Sequence, residues 1–322
     1  SLICRYCYHL GIAGDMKYKS DGTVAFDEPG SYTRTIRYHS PEYVVGIIRY
    51  LFDKYHIDFI GFLDENLMTM DSYSKRTWMK AICEGIIESG LAPTCVQKGL
   101  EHTEDCHGIH WSGTSHATLC TPDILKLMRK AGCSHLVYGY ESFSPHVMKT
   151  IGKGATPEHN IRSFFSTLEA GIRPIPNQII GFPNEDFKSV YENMDAWKRL
   201  GIVVKPFFAT PYPGSEWFTV YRDWILEQYN GDLERFILDL GDATKLTAVI
   251  SHNFNSVELL GLRELMLNFD YKRIEEYEKY WRKAHGIAED KPSTVFMERE
   301  HKTNLNTNVI KLERIQHGSH QR

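Results

Sequence analysis

No apolar run in the 322 residues approaches the roughly 18–20 that cross a bilayer, so no membrane span is predicted. Charge of one sign is not in excess either, since the formal net charge is −4. That balance offers no electrostatic case for nucleic acid or an anionic membrane as a partner. Cysteine is scarce: seven residues, an odd number at irregular spacings, make no disulfide framework. No secretory signal pattern is visible. A reducing, cytoplasmic setting is therefore expected, with cysteines serving as ligands or core residues. Internal repeats and low-complexity stretches are also missing. The length exceeds that of one ordinary domain and allows a sizeable core.

What is present is an alternation of strands and helices. Ser40-Pro41-Glu42 is a helix start, a hydroxyl cap followed by proline, and Val44, Val45, Ile48, Leu51 and Phe52 form its apolar stripe. A strand over 57–63 runs into Asp64-Glu65-Asn66. Asp71-Ser72 opens a helix over about 73–89, and a strand is expected near 94–97 or 109–112. Thr121-Pro122 caps the next helix, and a strand over 135–140 ends at Glu141-Ser142. Ser144-Pro145 and Thr156-Pro157 open two further helices. A strand over 175–180 runs into Gly181, a helix covers 185–200, and a strand over 203–209 ends in Pro211-Tyr212-Pro213-Gly214. Helices at 216–229 and 256–285 follow, and the polar tail beyond 286 reads as disordered at its end. The Gly-rich segment from Gly11 to Thr35 reads as turns, with a hairpin around Asp21-Gly22.

About five strand–helix repeats argue for a parallel α/β sheet with crossover helices. Each polar cluster falls where a strand ends: Cys4/Cys7, Asp64/Glu65, Glu141/Ser142, Gly181/Pro183 and Pro211/Pro213. In parallel folds those ends share one face, where active sites sit. Cys4-Arg5-Tyr6-Cys7-Tyr8 has the spacing of metal ligands, compatible with half a zinc site, a redox pair or part of an iron–sulfur loop. A cysteine immediately before Ser1 would complete a three-thiolate loop able to hold three irons of a [4Fe–4S] cube, so an N-terminally truncated chain is expected. Asp64/Glu65 suit ligand binding or a helix-dipole pair. Glu141 suits a ligand contact or a cap, and Lys153 a ligand contact or a solvated surface. Cys95, Cys106, His107, His110, His116 and Cys120 fit no tight ligand spacing, and no second metal site is expected. Trp111, Tyr138, Tyr140 and Phe208 are expected near the barrel mouth or interior.

In order along residues 4–216, these pieces resemble the core of radical S-adenosylmethionine (SAM) enzymes. The resemblance is greatest to the cobalamin-associated group of magnesium-protoporphyrin-ester-cyclase and methyltransferase type. It rests on Cys4-Arg5-Tyr6-Cys7, Arg37 with Pro41-Glu42-Tyr43-Val44-Val45, Phe62-Leu63-Asp64-Glu65-Asn66, and Ala131-Gly132-Cys133 leading to Tyr138-Gly139-Tyr140-Glu141-Ser142. It continues with Lys149 to Thr156, Ile180-Gly181-Phe182-Pro183-Asn184-Glu185 and Pro211 to Gly214. The resemblance implies a partial (β/α)6 TIM-like barrel over 1–216, lacking its first strand, and a C-terminal helical extension with a polar tail over 217–322.

It further implies a [4Fe–4S] cluster held by Cys4 and Cys7, with Tyr6 against the SAM adenine. Asp64 and Glu65 would accept from the methionyl ammonium, and Glu141 and Ser142 would hold ribose or methionyl groups. Lys153 would meet the SAM carboxylate, and Ile180 and Gly181 would pass the adenine. The implied activity is generation of a 5′-deoxyadenosyl radical for methyl transfer or for oxidative or cyclisation chemistry on a small or mid-sized organic substrate. A flavodoxin- or ferredoxin-like protein would supply the electron. Cobalamin would come through a domain not present in this chain. The third cysteine is not in the sequence, the segment 11–35 is long for the family, and no RNA-binding module is recognisable. The rival readings are a catalytically inactive SAM- or partner-binding relative and a zinc-dependent barrel hydrolase.

Overall fold

Three helices begin where a capping hydroxyl meets a proline. In the computed structural model, which describes residues 4–8, 14–16, 32–34, 37–97 and 106–288, Ser40 Oγ accepts from the Tyr43 amide and Pro41 takes the first helical turn. The cap satisfies an amide left without a partner, and proline has no amide to satisfy. Thr121 and Thr156 repeat the device ahead of Pro122 and Pro157.

An antiparallel pair, β1 (Gly14–Met16) with β2 (Tyr32–Arg34), comes first. The Asp21-Gly22 turn lies outside the described residues, as does the tail beyond 288. Next come α1 (Pro41–Tyr55), β3 (Phe59–Gly61), α2 (Thr69–Tyr73), α3 (Trp78–Glu88), the single turn α4 (Thr94–Gln97), β4 (His110–Ser115) and α5 (Pro122–Lys130). The alternation continues through β5 (Cys133–Glu141), α6 (Pro145–Ile151), α7 (Pro157–Glu169), β6 (Arg173–Ile180), α8 (Phe187–Leu200) and β7 (Phe207–Phe208). Five helices follow: α9 (Glu216–Val220), α10 (Arg222–Gln228), α11 (Leu233–Asp239), α12 (Ser256–Leu267) and α13 (Tyr271–Ala284).

Strands β3 to β7 pair in parallel and in sequence order. Parallel strands joined in sequence order need crossover connections, which as a rule are right-handed and place the helices on one face of the sheet. The architecture is the expected α/β partial barrel. Among the described residues no helix is long and apolar enough to cross a membrane.

The helix expected over 216–229 is divided at Tyr221 between α9 and α10, and four further expectations need correction. Residues 94–97 form a helical turn, and the strand expected there is β4. The helix over 73–89 is broken between α2 and α3, where Lys75 and Arg76 take φ of 55° and 66°. The long helix over 256–285 is two: Phe269 turns at φ 51° and Asp270 caps α13 by accepting from the Arg273 amide. A short acid that bonds its own backbone stops one helix and starts the next. The fourth concerns aromatics. Tyr138 and Tyr140 face the helices rather than the barrel interior, with Tyr138 Oη 2.9 Å from Thr167 Oγ1 and Ser163 Oγ donating to Tyr140 Oη at 3.0 Å. The Trp111 indole donates to the Ala131 carbonyl, and Phe208 carries the Arg263 guanidinium at 4.2 Å.

The C-terminal helices share the main core. Phe187 at the start of α8 packs against Phe254, Tyr277 and Trp281, with ring centroids 5.1, 5.7 and 5.4 Å away. Asn193 on α8 fastens the ends of β5 and β6. Its Oδ1 accepts from the Phe143 amide at 2.6 Å, Ser142 Oγ at 3.2 Å and Gln178 Nε2 at 3.3 Å. A buried donor left unsatisfied costs about 1–3 kcal/mol, so Asn193→Ala should lose roughly 2–4 kcal/mol. Urea unfolding checks this.

Candidate functional site

The cysteine loop is a turn docked by its backbone. The Cys7 amide donates to the Cys4 carbonyl at 3.0 Å, bringing two half-buried thiols onto one bend. The Arg5 amide donates to the Ile151 carbonyl at 3.1 Å, and the Glu216 amide donates to the Arg5 carbonyl at 3.0 Å. The Arg5–Glu216 ion pair, at 3.2 Å with Arg5 48% exposed, adds little beside those two bonds.

Tyr6 packs on Phe182 and Trp217 and donates to Glu141 Oε1 at 2.8 Å. Burial first, then the Glu141 charge, hold the Tyr6 hydroxyl well above its ordinary pKa, so it remains a neutral donor. Tyr8 donates to Glu65 Oε1 at 3.0 Å and meets Tyr212 edge-on. Five residues thus reach the ends of β3, β5, β6 and β7. This is the convergence that strand order implies.

A bulge aims the central carboxylate. Gly139 pairs with Asn177 and Glu141 with Gln178, so Tyr140 is the extra residue, and Glu141 takes φ 61°. A left-handed non-glycine costs on the order of 1–3 kcal/mol and persists only where its surroundings enforce it. Here the enforcement is electrostatic. Lys153 Nζ lies 2.5 Å from Glu141 Oε1, donates also to the Gly139 carbonyl, and stands 3.4 Å from Tyr6 Oη. The pair is buried, at 7% and 10% exposure. A Cβ on Gly139 would lie 2.3 Å from Glu141 Oε1 and 2.7 Å from Lys153 Nζ, so a larger residue there would displace the tips of both side chains.

His116, just past β4, orients the lysine loop. Its Nδ1 accepts from the Thr118 amide, which leaves Nε2 to donate to the Lys153 carbonyl at 3.2 Å. Burial, then the Lys153 charge, push its pKa down to about 4, so the ring stays neutral.

The remaining expected residues are spread around this centre. Ser142 is fully buried; its hydroxyl donates to Asn193 and accepts from the Ser144 amide. Asp64 and Glu65 are exposed at the end of β3, beside a buried Asn66 Oδ1 without a hydrogen-bond partner among the described residues. Ile180 is buried. Gly181 takes φ +95°, and its amide donates to the Glu185 carboxylate. Burial raises Glu185 to about 8, against the pull of that amide, and its Oε1 has no partner among the described residues. Gly139, His116 and Glu185 had no role assigned from sequence. Gly139 and Glu185 stood in recognised motifs, whereas His116 stood only in a Cys/His-rich stretch of no ligand spacing.

A parallel half-barrel with its polar side chains gathered at the C-terminal strand ends is the architecture of an enzyme. The chain belongs to the radical SAM superfamily, whose family model matches residues 1–196. An uncharacterized methyltransferase of Pyrococcus horikoshii is 32% identical over 180 residues, covering 56% of this chain and 35% of that protein. The bacteriochlorophyllide d C-12(1)-methyltransferase of Chlorobaculum tepidum is 28% identical over 121 residues, 37% of this chain and 26% of that one. The chain therefore spans about a third or less of these curated relatives. Among solved structures, the cobalamin-dependent SAM radical enzyme OxsB superposes with a TM-score of 0.47 at 14% identity, over 82% of this chain and 48% of that one.

Membership implies a [4Fe–4S] cluster and SAM. The residues present fit both. Cys4 and Cys7 offer soft thiolate donors on one turn, the ligand type such clusters take. Among the described residues, Asn66 Oδ1 is a buried acceptor without a partner, open to an N–H group of such a cofactor.

Two measurements test this geometry. Lys153→Ala strands a buried carboxylate and should cost about 3–5 kcal/mol, most of it recovered in Glu141→Gln/Lys153→Met; denaturant unfolding reads both. Glu185 holds an extra proton when folded between its ordinary 4.5 and about 8, so its contribution falls as pH rises through that window. His116, lowered from 6.5 to about 4, has the opposite slope below 6.5. Stability should therefore decline between pH 6.5 and 8, by about 1.4 kcal/mol per unit, and Glu185→Gln should abolish the decline.

Proposed function

We propose that residues 1–216 form the core of a radical SAM enzyme in which Cys4 and Cys7 ligate the cluster, with 217–322 as a helical extension. The observation that carries this reading is the docked cysteine loop: Arg5 bonded on both sides by its backbone, and Tyr6 joined to Glu141 at 2.8 Å. When bound and reduced, the cluster supplies an electron that cleaves SAM to methionine and a 5′-deoxyadenosyl radical. The protein binds, orients and excludes water.

In this reading Tyr6 forms the wall against the adenine, and Gly181 lets the backbone of β6 approach it, flanked by Ile180. Asp64 and Glu65, on the open rim, receive the methionyl ammonium. Glu141 presents its remaining acceptor capacity to ribose or methionyl groups, with Ser142 holding the strand end behind it. Lys153 positions Glu141 and meets the SAM carboxylate only if that pair opens. Its observed partners support the positioning role more than direct contact.

Methyl transfer to an organic substrate is the finer reading, supported by the methyltransferase names of both curated relatives. Cobalamin, carried by a domain outside this chain, would extend that transfer to unactivated carbon. A flavodoxin- or ferredoxin-like donor would supply the electron.

Cys4→Ala or Cys7→Ala in the full-length protein should reduce 5′-deoxyadenosine formation to background in an anaerobic assay with a strong reductant. Wild-type yield in either variant rejects the ligand assignment. S-adenosylhomocysteine formed alongside 5′-deoxyadenosine marks methyl transfer, and 5′-deoxyadenosine alone marks cyclisation or oxidation.

A further inference from the structure

Three ligand atoms meet at the other end of the sheet. Cys95 lies in α4, His110 opens β4, and Cys106 stands between them in sequence. Cys95 Sγ is 3.5 Å and Cys106 Sγ 3.8 Å from His110 Nε2, and the three ligand atoms all lie within 4.8 Å of one another. Their sequence spacing has no recognisable ligand pattern, so this convergence is a product of the fold.

The backbone builds it. The Thr94 amide donates to the His107 carbonyl at 2.8 Å, the His107 amide to Thr94 Oγ1 at 3.2 Å, and the Ile109 amide to the Leu91 carbonyl at 2.8 Å. Between them Gly108 takes φ +111°, where a Cβ would lie 2.8 Å from the backbone of Leu91 and Ala92. The two cysteine-bearing branches are thus held together by the chain itself.

Two features point to a cation at the centre. A zinc–sulfur bond of about 2.3 Å and a zinc–nitrogen bond of about 2.0–2.1 Å at the tetrahedral angle put sulfur and nitrogen about 3.6 Å apart. The two observed separations bracket that edge. In addition, Cys106 Sγ receives the Cys95 amide at 3.5 Å and Thr94 Oγ1 at 3.9 Å. Such donors stabilise a ligating thiolate.

We propose that Cys95, Cys106 and His110 bind a tetrahedral divalent cation of the zinc type, with water in the fourth position. That position would open on a cleft of about 390 Å³ whose walls include Asp58, Arg129 and Arg173. The site is separate from the cysteine loop: it sits at the start of β4, whereas Glu141 and Gly181 sit at the far ends of β5 and β6. Six residues of strand already span about 20 Å. The cation acts as a staple, tying the connection before β4 to the strand it feeds.

The test is metal analysis of the full-length protein purified under reducing conditions without iron reconstitution. About one zinc per chain is expected, retained in Cys4→Ala/Cys7→Ala and lost in Cys95→Ser/Cys106→Ser. Cobalt titrated into wild-type protein should give thiolate charge-transfer absorption and intense tetrahedral visible bands, a readout that needs no variant to fold. The proposal is overturned if wild-type protein takes up neither zinc nor tetrahedral cobalt. It is equally overturned if zinc survives loss of Cys95 and Cys106, if it disappears with Cys4 and Cys7 instead, or if Cys95 and Cys106 are found joined as a disulfide.

Discussion

One buried ion pair holds the mouth of this half-barrel together. Lys153 and Glu141 meet at 2.5 Å, almost out of reach of water. Desolvating two charges is expensive, and burial as such earns no stability. What the pair provides is position. It holds a non-glycine residue in the left-handed region, keeps the β5 bulge in place, and gives the Tyr6 hydroxyl its acceptor. His116 grips the backbone of the same lysine, so the end of β4 is joined to the network without adding charge.

Behind the mouth, the sheet has two unequal faces. Leu136, Tyr138 and Tyr140 pack towards the helices and carry the apolar burial. Val137 and Gly139, on the opposite side, are only half-buried and leave the concave face open. Polar hubs sit where the layers meet: Asn193 joins two strand ends to α8, and Asn160 Nδ2 donates to the carbonyls of Tyr140 and Ser142 at 3.0 and 3.1 Å. Trp281 of α13 and Phe254, just before α12, complete the wall around Phe187.

Much of this was legible in the sequence because the signals were local. The caps before Pro41, Pro122 and Pro157 and the glycines after helices marked the alternation, and strand order then implied one shared face for Cys4, Glu65, Glu141 and Gly181. What stayed illegible depends on register. Whether Tyr138 points inward or outward turns on a single-residue shift, and the bulge at Tyr140 exists only in pairing with β6. Likewise, Lys153 read as a ligand contact or a solvated cation, and neither reading supplied its partner Glu141, which sits across a turn and a strand end. Cys95 and Cys106 looked unrelated because a backbone fold, rather than a short spacing, brings them together.

The contacts that dock the cysteine loop have an unusual reach along the chain. Tyr6 meets Glu141 across 135 positions and Lys153 across 147, while Arg5 waits for the backbone of Glu216. The sheet itself is assembled from neighbours, each strand pairing with the next one made, so it can form progressively as the chain emerges from the ribosome. The loop cannot, since closing so long a span is entropically costly until its receptor surface exists. The cysteine loop is therefore expected to dock after the strand ends that receive it. A small zinc domain folds around its metal; here the order is reversed, and the docking surface for the cysteines is finished before they arrive.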